Sequence, residues 1–515
     1  MSTRSKPEVV PRVLDMSSSK RTTQPGDDGF TRRAFIGRAA STAAALTVVP
    51  RRVLGGPGYV APSEKITAAC IGVGAQGTRV MMDFLKQPDV QIVAICDVNK
   101  ESGDYVEWFQ NELRDKERAL LGNTEWGQDW KGPTSGREPA RRLVEAYYGA
   151  QSQSGQYKGC AVYSDYRELL EKLKDFDAVI VGTPDHTHTV VSIAAMKKRK
   201  HVFCQKPLTH SIVEARRMAE VARETRVATQ VAVSNQASEA TRLLCEWIWA
   251  GAIGPVREVH NWSTRPFWPQ GIERPAQGEP VPPSLDWDLW LGPAAVRPYH
   301  RAYLPFAWRG WYDFGNGPLG DMGCYSFDTI FRVLKLGPPE SVEASSTRTF
   351  SETFPIASII HFHFSARGDM PPVRLTWYDG GLRPPRPREL EDTREMGEEN
   401  EGLLFVGDRG TIMCGFNGAS PRLIPESKMQ EFKPPPQTLP RSAGNDREWI
   451  EACKGGKPGG ANFEFEGPIT EALLLGTVAL RAGKKLYWDG PALKVLNVPD
   501  AQQYVRREYR QGWTL

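Results

Sequence analysis

This 515-residue sequence predicts an α/β fold with two unlike sheets. A doubly wound parallel sheet comes first, then an α/β domain on a large, mostly antiparallel open sheet. Three observations carry that expectation. Apolar strand-like runs alternate with helix-like stretches over residues 63–236. A Gly-x-Gly-x-x-Gly stands at the first strand–helix junction, and several β runs follow within 237–500.

The glycine motif lies in Ile66-Thr67-Ala68-Ala69-Cys70-Ile71-Gly72-Val73-Gly74-Ala75-Gln76-Gly77. Gly72 permits a tight turn, Gly74 lets backbone approach a pyrophosphate, and Gly77 lets the next helix pack close, so that its first amides face the phosphates. Glycines alone are a weak signal, but the context fits on both sides. Val90 to Cys96 reads as the next buried strand, and Asp97 follows twenty residues after Gly77, where a carboxylate binds ribose hydroxyls. The pattern is the Rossmann fingerprint of a dinucleotide site, with Gly72, Gly74, Gln76, Gly77 and Asp97 as cofactor contacts. A carboxylate at the ribose repels a 2′-phosphate, so NAD is favoured over NADP; Lys100 nearby weighs the other way.

The next strand, Phe176 to Val181, ends in Gly182-Thr183-Pro184-Asp185-His186, and a helix is expected from His188 to Lys198. His201 to Cys204 is a further strand ending in Gln205-Lys206-Pro207. A helix over 212–225 and a strand over 227–233 complete the unit. Ligands of such sheets bind outside the carboxyl ends of the strands, which adds Thr183, Pro184, His186, Gln205 and Lys206 to the expected cofactor contacts. Lys206, with a proline behind it, is expected to aim into the cleft rather than into solvent. The polar stretch 101–159 reads as helices with a surface loop and suggests no function.

Beyond 237, a helix over 239–249 leads into a strand from Val256 to Trp262. The stretch Trp262 to Tyr312 holds six of the fifteen tryptophans, mixed with Arg265, Arg274, Arg297, His300, Arg301 and Arg309. It reads equally as a lining that stacks on sugar rings and as a packed irregular insertion. The stretch Gly315 to Tyr325 opens a helix that runs through Leu334, so Asp321 and Tyr325, four apart, share a face. Strands are expected at 358–364, 373–378, 403–406 and 411–414, and a last helix over 470–482. Residues 501–515 read as a tail.

A net charge of +4 with no basic run interleaved with aromatics implies no nucleic-acid surface. Eight cysteines without a Cys-x-x-Cys pair imply neither a disulfide framework nor a metal site. His361 and His363 share a strand face but lack a third ligand. Near the start, Thr31-Arg32-Arg33-Ala34-Phe35 resembles the twin-arginine export motif and is followed by a mild apolar run, so residues 1–62 are expected to be a signal and linker. That reading makes the export machinery a partner and the periplasm the destination, with an uncleaved signal acting as a membrane tether as the alternative to cleavage.

Gly72-x-Gly74-x-x-Gly77, Thr183-Pro184-Asp185-His186, Gln205-Lys206-Pro207 and Gly320-Asp321-x-Gly323-x-Tyr325 together resemble the Gfo/Idh/MocA family of nicotinamide-dependent sugar oxidoreductases, over 64–496. The resemblance implies a Rossmann domain followed by an α/β domain carrying substrate contacts and oligomer interfaces, a homo-oligomer, and a small carbohydrate substrate. It implies catalytic roles for Lys206 and Asp321, and for position 325, where the family's histidine is replaced by Tyr325. The family's glutamate before the lysine is replaced by Gln205, which is expected to leave Lys206 with a lower pKa than in relatives. A phenol titrates near 10 in water, and a neighbouring ammonium would lower it. Two readings therefore stand: a Tyr325–Lys206 acid/base pair with Asp321 orienting substrate, or Tyr325 as a mere contact with His186 or His300 as base.

The function expected is hydride transfer between NAD and a hydroxyl of a sugar, sugar derivative or cyclitol. One alternative is a redox-neutral glycosidase or epimerase that recycles bound NAD. Another, of a different class, is a non-catalytic dinucleotide-dependent sugar-binding protein, which would hold NAD and show no spectral change with any sugar.

Overall fold

The computed structural model describes residues 61–152 and 154–515. The twin-arginine motif and the apolar run after it lie outside the described residues. Among the described residues, no helix is long and apolar enough to cross a membrane.

Alternating buried runs and amphipathic helices build the first sheet. Its strands and helices run β1 (Ile66–Ile71), α1 (Ala75–Leu85), β2 (Val90–Cys96), α2 (Glu112–Leu121), α3 (Arg137–Gln151), β3 (Ala161–Tyr163), α4 (Tyr166–Lys172), β4 (Ala178–Val181), α5 (Asp185–Lys197), β5 (His201–Cys204), α6 (Ile212–Thr225) and β6 (Thr229–Val231). The six strands are parallel in the order β3-β2-β1-β4-β5-β6. Strands covered on both faces need apolar side chains on both, hence the unbroken Ala-Val-Ile-Val of β4. Along β1, Ala68 and Cys70 join one core with Phe84 of α1 and Leu143 of α3, while Ala69 and Ile71 join the other with Val190 of α5 and Met218 of α6. The reversal of strand order falls between β1 and β4, so the crevice opens above Gly72 and Gly182.

The second layer holds α7 (Glu239–Trp249), β7 (Val256–Trp262), α8 (Trp287–Leu291) and α9 (Cys324–Leu334), the last entered through a π-turn at Leu319–Gly323. Strands β8 (Ser341–Ser346), β9 (Ser358–Phe364), β10 (Val373–Tyr378), β11 (Gly402–Gly407), β12 (Gly410–Cys414) and β13 (Arg422–Ile424) follow. Helices α10 (Glu426–Glu431), α11 (Asn445–Cys453) and α12 (Phe463–Ala482) precede β14 (Leu486–Asp489) and β15 (Lys494–Val495). The nine-stranded sheet runs β13-β12-β11-β7-β10-β9-β8-β14-β15, antiparallel except between β7 and β10. Strand β9 alternates buried Ile360 and Phe362 with half-buried His361 and His363. The buried side packs on α7, α9 and α12. Four cysteines, Cys70, Cys96, Cys204 and Cys414, are buried in strands, and all eight are free thiols. No cluster of three or more metal-ligating side chains occurs among the described residues.

Two helices start earlier than the sequence suggests. Helix α5 begins at Asp185 rather than His188, so Asp185 and His186 belong to its first turn. Helix α12 begins at Phe463 because Asn462 caps it, accepting from the amides of Glu464 and Phe465, and it runs through Pro468. The first sheet's layers also draw on distant sequence. Trp449 of α11 sits edge-on to Phe84 (5.3 Å) and Phe203 (5.5 Å), closing one face of that sheet. Trp449→Ala is expected to cost about 3–5 kcal/mol, seen as a lower denaturation midpoint; an unchanged midpoint would mean α11 does not hold this face.

Candidate active site

A cavity of about 770 Å³ lies along the carboxyl ends of β1, β2, β4 and β5. Its floor is the glycine loop. Gly72 has φ +84°, and a Cβ there would lie 2.5 Å from the Thr183 amide; a Cβ at Gly77 would lie 2.0 Å from the Gly72 carbonyl. Only glycine lets β1, β4 and α1 meet this closely. No side chain caps α1, so its first amides remain for an anion. Gly72, Gly74, Gln76, Gly77, Asp97, Thr183, Pro184, Gln205 and Lys206 all line the cavity, as expected.

Asp97 is buried, and its carboxylate accepts from the amides of Val73 (2.7 Å) and Asn99 (2.7 Å). Burial pushes its pKa up, against the pull of those two N–H groups and of Arg137. A carboxylate offers about four acceptor positions, so two remain for ribose hydroxyls, and the site fits a dinucleotide. Lys100 is exposed and does not line the cavity. The stretch 101–159 contributes more than the sequence suggested: Tyr105 packs over Gly74, where a Cβ would lie 2.8 Å from its ring, and Trp108 lines the cavity. Nothing local marks either residue.

At the β5 end, the Lys206 ammonium donates to the Asp321 carboxylate (2.9 Å) and the Asp321 carbonyl (2.6 Å). Arg309 Nε donates to the same carboxylate at 3.1 Å. Asp321 therefore holds the two cations, and all three line the cavity. Burial alone would raise its pKa, but Lys206 and Arg309 bring it down to about 2. For Lys206, burial works against the charge, yet Asp321 more than offsets this, and the ammonium is held above its ordinary range. Two of its three N–H donors are committed to Asp321, which leaves one for an oxygen in the cavity.

Tyr325 lies beside this cluster, its ring 4.9 Å from the Lys206 ammonium. Burial raises the phenol's pKa, and Lys206 does not overcome it. The balance favours the protonated phenol, in which form Tyr325 is a hydrogen-bond donor. Neither histidine of the alternative reading lines the cavity. His186 lies outside the cavity wall, with Nε2 2.9 Å from the Trp290 carbonyl, and burial with Arg507 brings its pKa down to about 3. That also removes it from the cofactor contacts. His300 sits by Glu279, away from the cavity.

Two neighbours in the same motif matter instead. Both ring nitrogens of His188 meet carbonyls, Pro207 and Thr183, each at 2.8 Å, so the ring ties the ends of β4 and β5 together. Burial opposes its protonation, but the Cys204 thiol and the two carbonyls outweigh burial and raise its pKa. Asp185 lines the cavity at 4% exposure and accepts from Asn316 Nδ2 at 3.1 Å. Burial lifts its pKa to about 7, against the pull of Arg309 and Lys206 and with the push of Asp321. A carboxyl poised there exchanges protons at neutral pH.

The aromatic stretch does both things its composition allowed. Trp287, Trp290, Tyr303, Trp311 and Phe314 form a packed cluster, while Arg265, Phe306, Trp308 and Arg309 line the cavity. Arg274 and Arg297 pair with Glu352, and Arg301 with Glu279, so these three do not reach it.

Residues 119–233 match the model described as "Oxidoreductase family, NAD-binding Rossmann fold", and 256–364 match that described as "Oxidoreductase family, C-terminal alpha/beta domain". The two matches support the Gfo/Idh/MocA family. The first begins beyond the glycine loop, which makes the loop's geometry an independent observation. Levoglucosan dehydrogenase of Pseudarthrobacter phenanthrenivorans is 30% identical over 111 residues, 21% of this chain and 28% of that protein. Glycosyl hydrolase family 109 protein 1 of a Shewanella species is 27% identical over 190 residues, 36% of this chain and 33% of that protein. The chain spans less than half the length of such curated relatives. In fold it is similar to the WlbA dehydrogenase of Chromobacterium violaceum, solved with NADH and UDP-GlcNAcA: TM-score 0.51, 15% identity, covering 83% of this chain and 96% of that one.

The two ends of this cavity should separate by mutation. Gly72→Ala is expected to weaken NADH binding about ten-fold or more, whereas Asp321→Asn should leave it within about two-fold, both read by equilibrium titration.

Proposed function

We propose that the chain is an NAD-dependent oxidoreductase that transfers hydride between NAD and a hydroxyl-bearing carbon of a sugar, sugar derivative or cyclitol. The observation that carries this reading is the cluster at one end of the cavity: Lys206 held by Asp321, with Tyr325 and Asp185 beside it, across from the glycine loop and Asp97. Bound nicotinamide supplies the hydride acceptor or donor. The free N–H of Lys206 donates to the substrate oxygen and stabilises the negative charge that grows there. The Tyr325 phenol donates beside it, and Asp185 receives the hydroxyl proton. Arg309 and the Trp308 and Phe306 rings give the cavity a wall suited to a sugar's hydroxyls and apolar faces. The names of the relatives, a levoglucosan dehydrogenase among them, support a carbohydrate substrate.

A second reading is favoured by the likeness to a glycosyl hydrolase family 109 protein: a redox-neutral reaction in which the hydride returns to the substrate. Export through the twin-arginine route as a folded homo-oligomer, already loaded with NAD, belongs with that reading as a further part of the proposal. Denaturing the purified protein and measuring released NAD decides between the two. A dehydrogenase that exchanges its cofactor comes out mostly empty, and a recycling enzyme comes out loaded.

The pH dependence follows from Asp185. In the oxidative direction kcat/KM is expected to rise with pH through about 7 as its carboxyl ionises. Asp185→Asn should remove that limb and lower kcat about 10²–10⁴-fold. The sign for stability is opposite. The folded-state value lies above the unfolded one, so the stability Asp185 contributes is complete in acid and is lost as pH rises through about 7. Asp185→Asn should therefore raise Tm more at pH 8.5 than at pH 6. Tyr325→Phe should lower kcat with little change in KM, and unchanged turnover would remove the phenol from the mechanism.

A further inference from the structure

We propose that Trp513, carried back onto the first sheet by the last residues of the chain, forms the wall of the adenine subsite in the dinucleotide cavity. The proposal rests on the NAD reading above. Strand order fixes the direction of the bound dinucleotide. Its pyrophosphate belongs at the glycine loop after β1, its adenosine ribose at Asp97 after β2, and its nicotinamide toward Lys206 after β5. In the order β3-β2-β1-β4-β5-β6, the space beyond Asp97 and away from Lys206 lies at the end of β3. Ser164, Asp165 and Tyr166, which follow β3, line the cavity there, and Trp513 lines it with them.

Trp513 is 9% exposed and is set firmly in place. Its ring lies 6.3 Å from that of Tyr166, and the Arg167 guanidinium, itself paired with Asp165, stands 4.6 Å from the indole. The segment that delivers it is anchored at three points. Arg507 donates to the His186 carbonyl at 2.9 Å, the Tyr509 hydroxyl donates to Glu214, and Arg510 donates to the Gly292 and Asp288 carbonyls. A purine needs a flat apolar surface beside its ribose carboxylate. An indole already fixed by its neighbours offers one with little ordering cost on binding. Its distance in sequence from the glycine loop explains why no fingerprint includes it.

The test compares NADH with reduced nicotinamide mononucleotide, which lacks the adenosine half, in protein freed of bound nucleotide, with nicotinamide fluorescence as the readout. Trp513→Ala is expected to weaken NADH binding about ten-fold or more and to leave the mononucleotide unchanged. Trp513→Leu, which keeps apolar bulk, and Arg510→Ala, which loosens the anchor, should show the same selectivity. Unchanged NADH affinity in the Trp513 variants, or equal loss of both ligands, overturns the proposal. If the unsubstituted protein binds neither ligand, the NAD reading itself has failed.

Discussion

An ammonium taken out of water needs a carboxylate beside it, and in this chain that need joins the two layers. Lys206 comes from the end of a strand in the parallel sheet, and Asp321 from the π-turn that opens α9. Removing one partner of a buried pair leaves the other uncompensated, at a cost of about 3–5 kcal/mol. The pair therefore fixes where the second layer meets the first. Arg309 adds a second cation to Asp321 and brings the aromatic stretch to the same point. Tyr325, one helical turn on, and Asp185, at the start of α5, take their proton affinities from this cluster and its dryness.

What could be read directly was whatever depends on neighbours in sequence. The glycine spacing, the apolar strands and the lysine–proline step are local devices, and each lies where its spacing implies. Protonation states were not legible, because they depend on distant groups. The sequence shows Tyr325 near an expected lysine, but not the burial that keeps the phenol protonated. It shows Asp185 and His188 three residues apart, but not that Asn316 meets the first while Pro207 and Thr183 meet the second. His186 looked like a contact because it follows Thr183-Pro184. Starting α5 at Asp185 turns it instead toward Trp290 and Phe314.

The longest-range contributions escaped the sequence for the same reason. Tyr105 reaches Gly74 from a polar loop, Trp449 closes a sheet formed more than two hundred residues earlier, and Trp513 returns to that sheet from the chain's last residues. Each is a large aromatic in an unremarkable polar context, and its partners are set by topology rather than by periodicity. The aromatic stretch beyond Trp262 showed the converse: its composition announced importance but could not divide packing from lining.

Asp97 bears on any attempt to redesign the nucleotide preference. Its carboxylate clasps the amide of Val73 inside the glycine loop and that of Asn99 after β2. Ribose selectivity and the shape of the phosphate-binding turn thus share one side chain. Replacing it with a neutral or basic residue to admit a 2′-phosphate would strip an acceptor from a buried loop amide at the same time. An engineered swap of cofactor here would have to rebuild the turn together with the discriminating charge.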